Sequence, residues 1–387
     1  MSRPLRSETF DPNEVVIVHC VQRCVRRAYL AGFDAVTGKS FEHRREWIRR
    51  RLELLASVFG IDVLTYAILS NHLHVVTRTR PDVVTQWSDQ EVARRWLSVF
   101  PGKRLEEQLA EPTTADVETL AGNAERMAKI RTRMSDLSWF MRALSEPIAR
   151  LANQQDECTG RFWEGRFKAQ RITDEAGLLA CSMYVDLNPI RAAMAKTLEE
   201  AQHTSAYDRL AAQRGETMLS AAADRASLTP EETGEELKNK SVEQLRRERQ
   251  KRRAASGRPV ARDAWLAPLT LDRQTLASEV QASRGGLRAS DKGFLEMSLD
   301  DYLQLLDWTG RQGRGVGGGG GTIPKRVAGI LQRMGIESSM WCDLVWNFKR
   351  YFGRSAGRPD SLSRDAKRTG KRWTRGQVSA AHCFCPG

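Results

Sequence analysis

The sequence predicts an α+β fold in which an antiparallel sheet carries its helices on one face. Residues 15–23 are rich in β-branched side chains and form a predicted strand. Residues 41–59 repeat apolar side chains at helical spacing and stop at Gly60. Residues 61–69 and 72–79 are two predicted strands joined by a short Ser-Asn break. A strand, a helix and two strands joined by a tight turn begin a ferredoxin-like sandwich.

The next part of the chain is predicted to be mostly helical. Residues 85–155 have helical character, and residues 101–135 within them are polar and read as a helical insertion. Residues 161–172 alternate aromatic and basic side chains and predict a strand or an extended segment. Residues 174–187 predict a helix, which the following Asn-Pro pair ends or kinks.

Composition shifts divide the chain into three predicted parts. Residues 1–210 contain the sheet and the insertion, and residues 211–260 read as a charged linker or helix. Residues 261–387 predict a mainly α-helical basic region, interrupted by a glycine run at 313–321. We interpret this last part as an accessory region for DNA binding.

The charge distribution predicts a polyanionic partner. The chain has a net charge of +13 and an isoelectric point near 9.7. Residues 211–387 carry 31 Lys and Arg against 20 Asp and Glu, whereas residues 1–210 carry 30 against 28. We therefore expect the C-terminal half to supply most of the non-specific DNA affinity. An apolar run of about 18 residues and an N-terminal apolar core are both missing, which predicts a cytoplasmic protein.

A histidine pair is the first candidate for chemistry. His72 and His74 lie two residues apart on a predicted strand, so their side chains leave the same face of the sheet. Leu73 and Val75 then point to the opposite face, toward the covering helices. Two adjacent imidazoles on an exposed sheet face suit a divalent cation, and the chain has only six histidines. Taken alone, the pair also fits ordinary surface or packing histidines.

A tyrosine and an asparagine form the second candidate. Tyr184 and Asn188 are four residues apart on a predicted helix, so they share one helix face. A phenol and a carboxamide in this arrangement suit a nucleophile and a metal ligand. A buried tyrosine with an asparagine cap before a proline explains the same pattern.

Three sequence segments together resemble one family. YAILSNHLHVV, GRFWEGRFKAQRI and YVDLNPIRA, in this order and spacing, resemble the single-tyrosine HUH transposases, in particular the branch of REP-associated tyrosine transposases. The resemblance covers about residues 12–200. It implies an HUH nuclease core that cleaves and rejoins hairpin-forming single-stranded DNA through a 5′-phosphotyrosine. It also implies a bacterial, nucleoid-associated protein that works as a monomer or a homodimer.

The resemblance implies a role for each candidate residue. His72 and His74 match the histidines that hold the divalent cation, Tyr184 matches the nucleophile, and Asn188 falls where relatives place a third ligand. Mg²⁺ or Mn²⁺ is implied, although imidazole ligands leave zinc and nickel open. Two other functions compete: a catalytically silent DNA-binding protein, and a nickase of the replication-initiator or relaxase type.

Basic residues on two segments are the candidate DNA contacts. They are Arg23, Arg26 and Arg27 after the first strand, and Arg161, Arg166, Lys168 and Arg171 in the aromatic segment. Cations of this kind contact phosphates, while the interleaved aromatic rings stack on unpaired bases. The aromatic rings fit the protein core equally well, which leaves only the charges for DNA.

Overall fold

A computed structural model describes residues 9–25, 30–34, 38–102, 112–219, 259–272, 280–312 and 323–384. Arg26, Arg27, most of the predicted linker and the glycine run lie outside the described residues, as do residues 103–111 of the predicted insertion.

The strands have the following bounds: β1 (Ile17–Arg23), β2 (Ile61–Ile68), β3 (His72–Thr79), β4 (Lys168–Ile172), β5 (Thr217–Leu219), β6 (Pro259–Ala261) and β7 (Ser355–Ala356). The helices of the first part are α1 (His43–Val58), α2 (Pro81–Val84), α3 (Asp89–Val99), α4 (Thr114–Ala121), α5 (Ala124–Met134), α6 (Leu137–Gln155), α7 (Glu175–Asp186), α8 (Asn188–Arg191) and α9 (Ser205–Gln213). Those of the last part are α10 (Leu299–Gln312), α11 (Lys325–Arg333), α12 (Ser338–Trp346), α13 (Phe348–Tyr351), α14 (Pro359–Arg368) and α15 (Gln377–Cys383).

The main sheet confirms the predicted α+β class. Its strands are ordered β2-β3-β1-β4-β7, and the first four pair antiparallel with their neighbours. This is the order that strand–helix–strand–strand–helix–strand connectivity gives in a ferredoxin-like sheet. The predicted first helix and first three strands agree with the structure to within two residues at each end. The polar insertion is helical where the structure describes it, in α4 and α5.

One face of the sheet packs against α1 and α6. Apolar side chains of β1 and β3 meet those of the two helices in one buried cluster, which includes Val18, Cys20, Leu52, Leu55, Leu73, Val75, Phe140 and Leu144. Burying each large apolar side chain in such a cluster stabilises the fold by roughly 1.5–3 kcal/mol. Leu73 and Val75 therefore point away from His72 and His74 and face covering helices, as the strand period predicted.

The opposite face is also covered, so the prediction of helices on one face is wrong. Leu64, Ala67 and Val76 pack in a second buried cluster with α7 and with the C-terminal helices. All eight residues of β2, IDVLTYAI, are buried, the polar Asp62 and Thr65 included, so both faces of this strand are covered.

The C-terminal part is built into the same sheet. β7 pairs in parallel with β4, so that Arg171 and Ile172 lie beside Ser355 and Ala356. Trp265 is buried against Tyr66 of β2, with ring centroids 5.1 Å apart. These contacts tie the described residues of the C-terminal part to β4 and β2, the neighbours of β1 and β3 in the sheet, while the domain boundaries themselves stay a prediction.

Within the described residues, every helix is too short or too polar to cross a lipid bilayer.

Candidate active site

Strand register places three histidines on one face of the sheet. His72 and His74 of β3 lie opposite Arg23 and Val21 of β1. Residues directly opposite in an antiparallel pair share a face, and His19 lies two residues before Val21 on that face. The sheet therefore brings a third histidine to the predicted pair.

The three imidazoles are in direct contact. The ring centroids of His72 and His74 are 4.9 Å apart, and those of His19 and His74 are 5.1 Å apart in a stacked arrangement. His19 Nε2 lies 2.8 Å from His74 Nδ1. His74 is only 2% exposed, so the predicted exposed sheet face is in fact covered. The cover comes from α7 and from the C-terminal helices.

Burial keeps these imidazoles neutral at physiological pH. It lowers the pKa of His19 and of His72 to about 4, and the pKa of His74 well below 6.5. The positive charge of Lys349 lowers all three pKa values further. A neutral imidazole has a lone pair on one ring nitrogen, which is the form that binds a metal.

Tyr184 lies on α7, directly against the histidines. Its ring centroid is 5.6 Å from that of His74, in an edge-on arrangement. On another side the ring stacks on Phe348 of the C-terminal part, at 5.5 Å. The guanidinium of Arg191 lies 4.8 Å from the tyrosine ring centroid. The tyrosine is 4% exposed, so the sheet and the C-terminal part together enclose it.

Hydrogen bonds at both ends hold α7 in place. Asp174 caps its first turn by accepting from Gly177 N at 2.8 Å. Asp186, near its last turn, is fully buried and accepts from Ser205 Oγ at 2.5 Å and from Tyr302 Oη at 2.7 Å. These anchors fix the position of the tyrosine between them.

The surroundings of Tyr184 act on its pKa in opposite directions. Burial raises the pKa above 10, while the Arg191 charge and a hydrogen bond with Asn188 lower it. Asn188 is buried and donates through Nδ2 to the Tyr184 carbonyl at 3.0 Å. It is not among the described residues that line the cavity next to the histidines. Its role as a third metal ligand stays a prediction.

A cavity of about 200 Å³, open to solvent on one side, lies between these groups. Its inner wall contains His19, His72, His74 and Tyr184. Its outer wall contains four exposed cations and one exposed carboxylate: Arg23, Arg166, Lys168, Lys349 and Glu164. The excess of positive charge at the entrance favours a phosphate group.

The donor set fits a divalent cation through two imidazoles. His74 Nε2 is buried and has no hydrogen-bond partner among the described residues, and His72 lies beside it. A buried nitrogen without a partner is costly unless something binds it. The described residues contain no group of three His, Cys, Asp or Glu side chains arranged for a metal. The remaining positions of a bound cation would fall to water, to phosphate oxygens or to the predicted Asn188 amide.

The predicted DNA contacts separate into two groups. Arg23, Arg166 and Lys168 line the cavity, and Arg161 lines a neighbouring groove of about 850 Å³. Arg171 lies on the other face of β4, in ion pairs that include Glu14 at 3.5 Å. The structure thus brings three of the predicted cations to the tyrosine and leaves Arg171 apart.

The aromatic residues of the same segment belong to the core. Phe162 and Trp163 are 2% and 8% exposed, and Phe167 packs against the same cluster. The indole nitrogen of Trp163 donates to Ser145 O at 2.8 Å. The sequence left open whether these rings stack on bases or pack in the core. Phe162 and Trp163 pack in the core.

Sequence reasoning missed four residues at the site: His19, Gln170, Arg191 and Lys349. The histidine had a signal, since it occupies an alternate position on a predicted strand. Arg191 had a weaker signal, since it belongs to the YVDLNPIRA segment but lies on α8, beyond the predicted end of the helix at residue 187. Lys349 had none, because it is 165 residues from Tyr184 in a part of the chain without a recognised motif.

No protein-family model matches the sequence, and no curated protein matches it. Among solved structures, the chain is similar to one described as a REP-associated tyrosine transposase bound to a REP hairpin. The two chains are 12% identical over 53% of this chain and 82% of that one, with a TM-score of 0.31. Similarity at this level is too low to assign a function.

Proposed function

We propose that this protein is a metal-dependent endonuclease and strand transferase for hairpin-forming single-stranded DNA, with an HUH nuclease core. The observation that carries the proposal is the convergence of His72, His74 and Tyr184 on one cavity. The three residues come from β3 and α7, which are separated by 95 residues of chain. Their sequence segments resemble the single-tyrosine HUH transposases, which supports the same chemistry.

Tyr184 supplies the nucleophile in this proposal. Its Oη attacks a backbone phosphorus and forms an O–P bond, while the bond from phosphorus to the 3′ oxygen breaks. The products are a 5′-phosphotyrosine and a strand with a free 3′-OH. The covalent link conserves the energy of the phosphodiester, so the 3′-OH of another strand reverses the step without ATP.

His72 and His74 would hold the divalent cation, for which we propose Mg²⁺ or Mn²⁺. When bound, the cation supplies charge neutralisation and orientation at the phosphate. Arg191 contributes separately, because its charge beside the tyrosine favours the phenolate. The phenol of an ordinary tyrosine has a pKa near 10, so this stabilisation is needed at neutral pH.

The four cations at the cavity entrance would hold the strand by its phosphates. Arg166 and Gly165 line both the cavity and the larger groove, so one strand can pass from one to the other. Gln22 fixes this shared segment by donating from Nε2 to Gly165 O at 3.0 Å. The groove adds Arg142 and Arg161 as further phosphate contacts.

Lys349 should contribute to this grip even though it lies outside the family resemblance. Lys349→Gln is expected to lower the salt slope of single-strand binding by about 0.7, because one phosphate contact is lost. Lys349→Arg keeps the charge and should keep the slope. Fluorescence anisotropy with a labelled hairpin, from low to moderate salt, measures both. Equal slopes for Lys349→Gln and wild type would contradict this role.

An adduct assay tests the proposed activity. The full-length protein is incubated with a 3′-end-labelled DNA hairpin that has single-stranded flanks, in Mg²⁺ or Mn²⁺ or in EDTA. The expected result is a covalent protein–DNA adduct that resists denaturation and forms only with the metal. Binding without any adduct in either metal would favour the catalytically silent DNA-binding protein instead.

A further inference from the structure

A chain of hydrogen bonds runs from the C-terminal part into the histidine cluster. Gln170 of β4 donates from Nε2 to Gly353 O at 2.8 Å. Its Oε1 lies 3.3 Å from His19 Nδ1. His19 Nε2 in turn lies 2.8 Å from His74 Nδ1. Four groups from four segments of the chain are thus linked in a row.

The Gly353 carbonyl at the start of this chain determines the direction of each hydrogen bond along it. A backbone carbonyl only accepts, so the end of Gln170 that faces Gly353 O is the amide nitrogen. The Gln170 oxygen then accepts, and His19 Nδ1 must carry the proton. A neutral imidazole carries one ring proton, so His19 Nε2 is an acceptor and His74 Nδ1 is the donor.

The direction of these hydrogen bonds determines whether His74 Nε2 carries a proton or a lone pair. With its proton on Nδ1, His74 keeps a lone pair on Nε2, the buried atom without a hydrogen-bond partner among the described residues. We propose that His19 and Gln170 are positioning residues that hold His74 in the tautomer whose Nε2 lone pair is free to bind a cation. The cation rests on the proposed function, whereas the tautomer rests on the hydrogen bonds between neutral imidazoles.

The proposal gives the C-terminal part a role in the chemistry of the site. Gly353 lies just after α13, whose Phe348 stacks on Tyr184. The carbonyl of Gly353 sets the orientation of Gln170, and through it the tautomer of a histidine on β3. Partners that orient a metal-binding histidine in this way typically change metal affinity about 10–100-fold when they are removed.

Imidazole ¹⁵N NMR on the metal-free full-length protein tests the tautomer directly, with the His74 signals assigned by their loss in His74→Gln. The wild type is expected to carry the His74 proton on Nδ1. His19→Leu removes the acceptor and should move the proton toward Nε2. His19→Gln keeps an acceptor oxygen near the former Nε2 position and should keep the wild-type tautomer. Gln170→Leu, which frees His19 to take either tautomer, should give a mixture.

Titration with Mn²⁺ alone, followed by electron paramagnetic resonance, gives the second readout. His19→Leu is expected to weaken Mn²⁺ binding about 10–100-fold, and His19→Gln should stay close to wild type. A wild-type His74 protonated on Nε2, or a folded His19→Leu with an unchanged tautomer, would overturn the proposal. A wild type with the expected tautomer that binds no Mn²⁺ would support the hydrogen-bond chain and contradict the metal in the proposed function.

Discussion

Tyr184→Phe is expected to abolish adduct formation with a DNA hairpin while leaving DNA binding intact. The substitution removes only the hydroxyl oxygen, which is the atom that forms the bond to phosphorus. Loss of a nucleophile typically lowers the rate by roughly a thousandfold or more. The phenyl ring can still stack on Phe348 and contact Arg191, so the fold should change little. The measurement is the yield of denaturation-resistant adduct beside the affinity from anisotropy.

Tyr351→Phe is the matched control for this prediction. Tyr351 lies on the same C-terminal helix as Phe348, and its hydroxyl donates to the Asp343 carboxylate. It is not among the described residues that line the cavity, so its loss should leave the adduct unchanged. An adduct that survives Tyr184→Phe would contradict Tyr184 as the nucleophile. Loss of the adduct in Tyr351→Phe would indicate that Tyr351, and not only Tyr184, is needed for adduct formation.

Asp62→Ala should destabilise the whole protein by roughly 3–5 kcal/mol, the usual cost of removing one partner from a buried ion pair. Asp62 is fully buried on β2 and accepts from Arg78 Nη2 at 2.7 Å and Nε at 2.9 Å. It also accepts from Ser290 N at 2.9 Å and from Ser290 Oγ at 2.7 Å. The substitution therefore leaves a buried guanidinium without its carboxylate and cuts a link between the sheet and the C-terminal part.

Urea unfolding at neutral pH measures this loss, with Asp307→Ala as the control. Asp307 forms an exposed ion pair with Arg311 within α10, and such pairs contribute about 0–1 kcal/mol. If both variants lost the same small amount, the C-terminal part would not be held to the sheet through Asp62. A large loss in Asp62→Ala alone would confirm that this buried carboxylate contributes strongly to the free energy of unfolding.

The contacts between the sheet and the C-terminal part change how the C-terminal charge is best tested. The excess of basic residues in the C-terminal part predicts that this part contributes DNA affinity. Removing every residue after 215 is the obvious test of that prediction. The same truncation removes β7 from the sheet and uncovers apolar side chains around Val76 and Tyr184. Single substitutions such as Lys349→Gln separate the charge from the fold.

The sequence by itself determined the elements and the two candidate motifs. Helical apolar spacing predicted α1, and runs of β-branched and apolar residues predicted β1, β2 and β3, all to within two residues at each end. Side chains alternate across a strand and return to one face of a helix every 3.6 residues, so these signals are local. The HxH spacing put His72 and His74 on one face for the same reason. Tyr184 and Asn188 were placed one helical turn apart. All of these are relations between residues close together in the chain.

Only the tertiary structure determined which other residues lie next to His72, His74 and Tyr184. His19 joins the pair through the register of β1 against β3, and Lys349 and Phe348 arrive from a segment more than 150 residues away. Contacts between distant segments depend on how the sheet is covered, and a local period carries no such information. The histidine face, which was predicted to be exposed, is buried because α7 and the C-terminal helices pack on it.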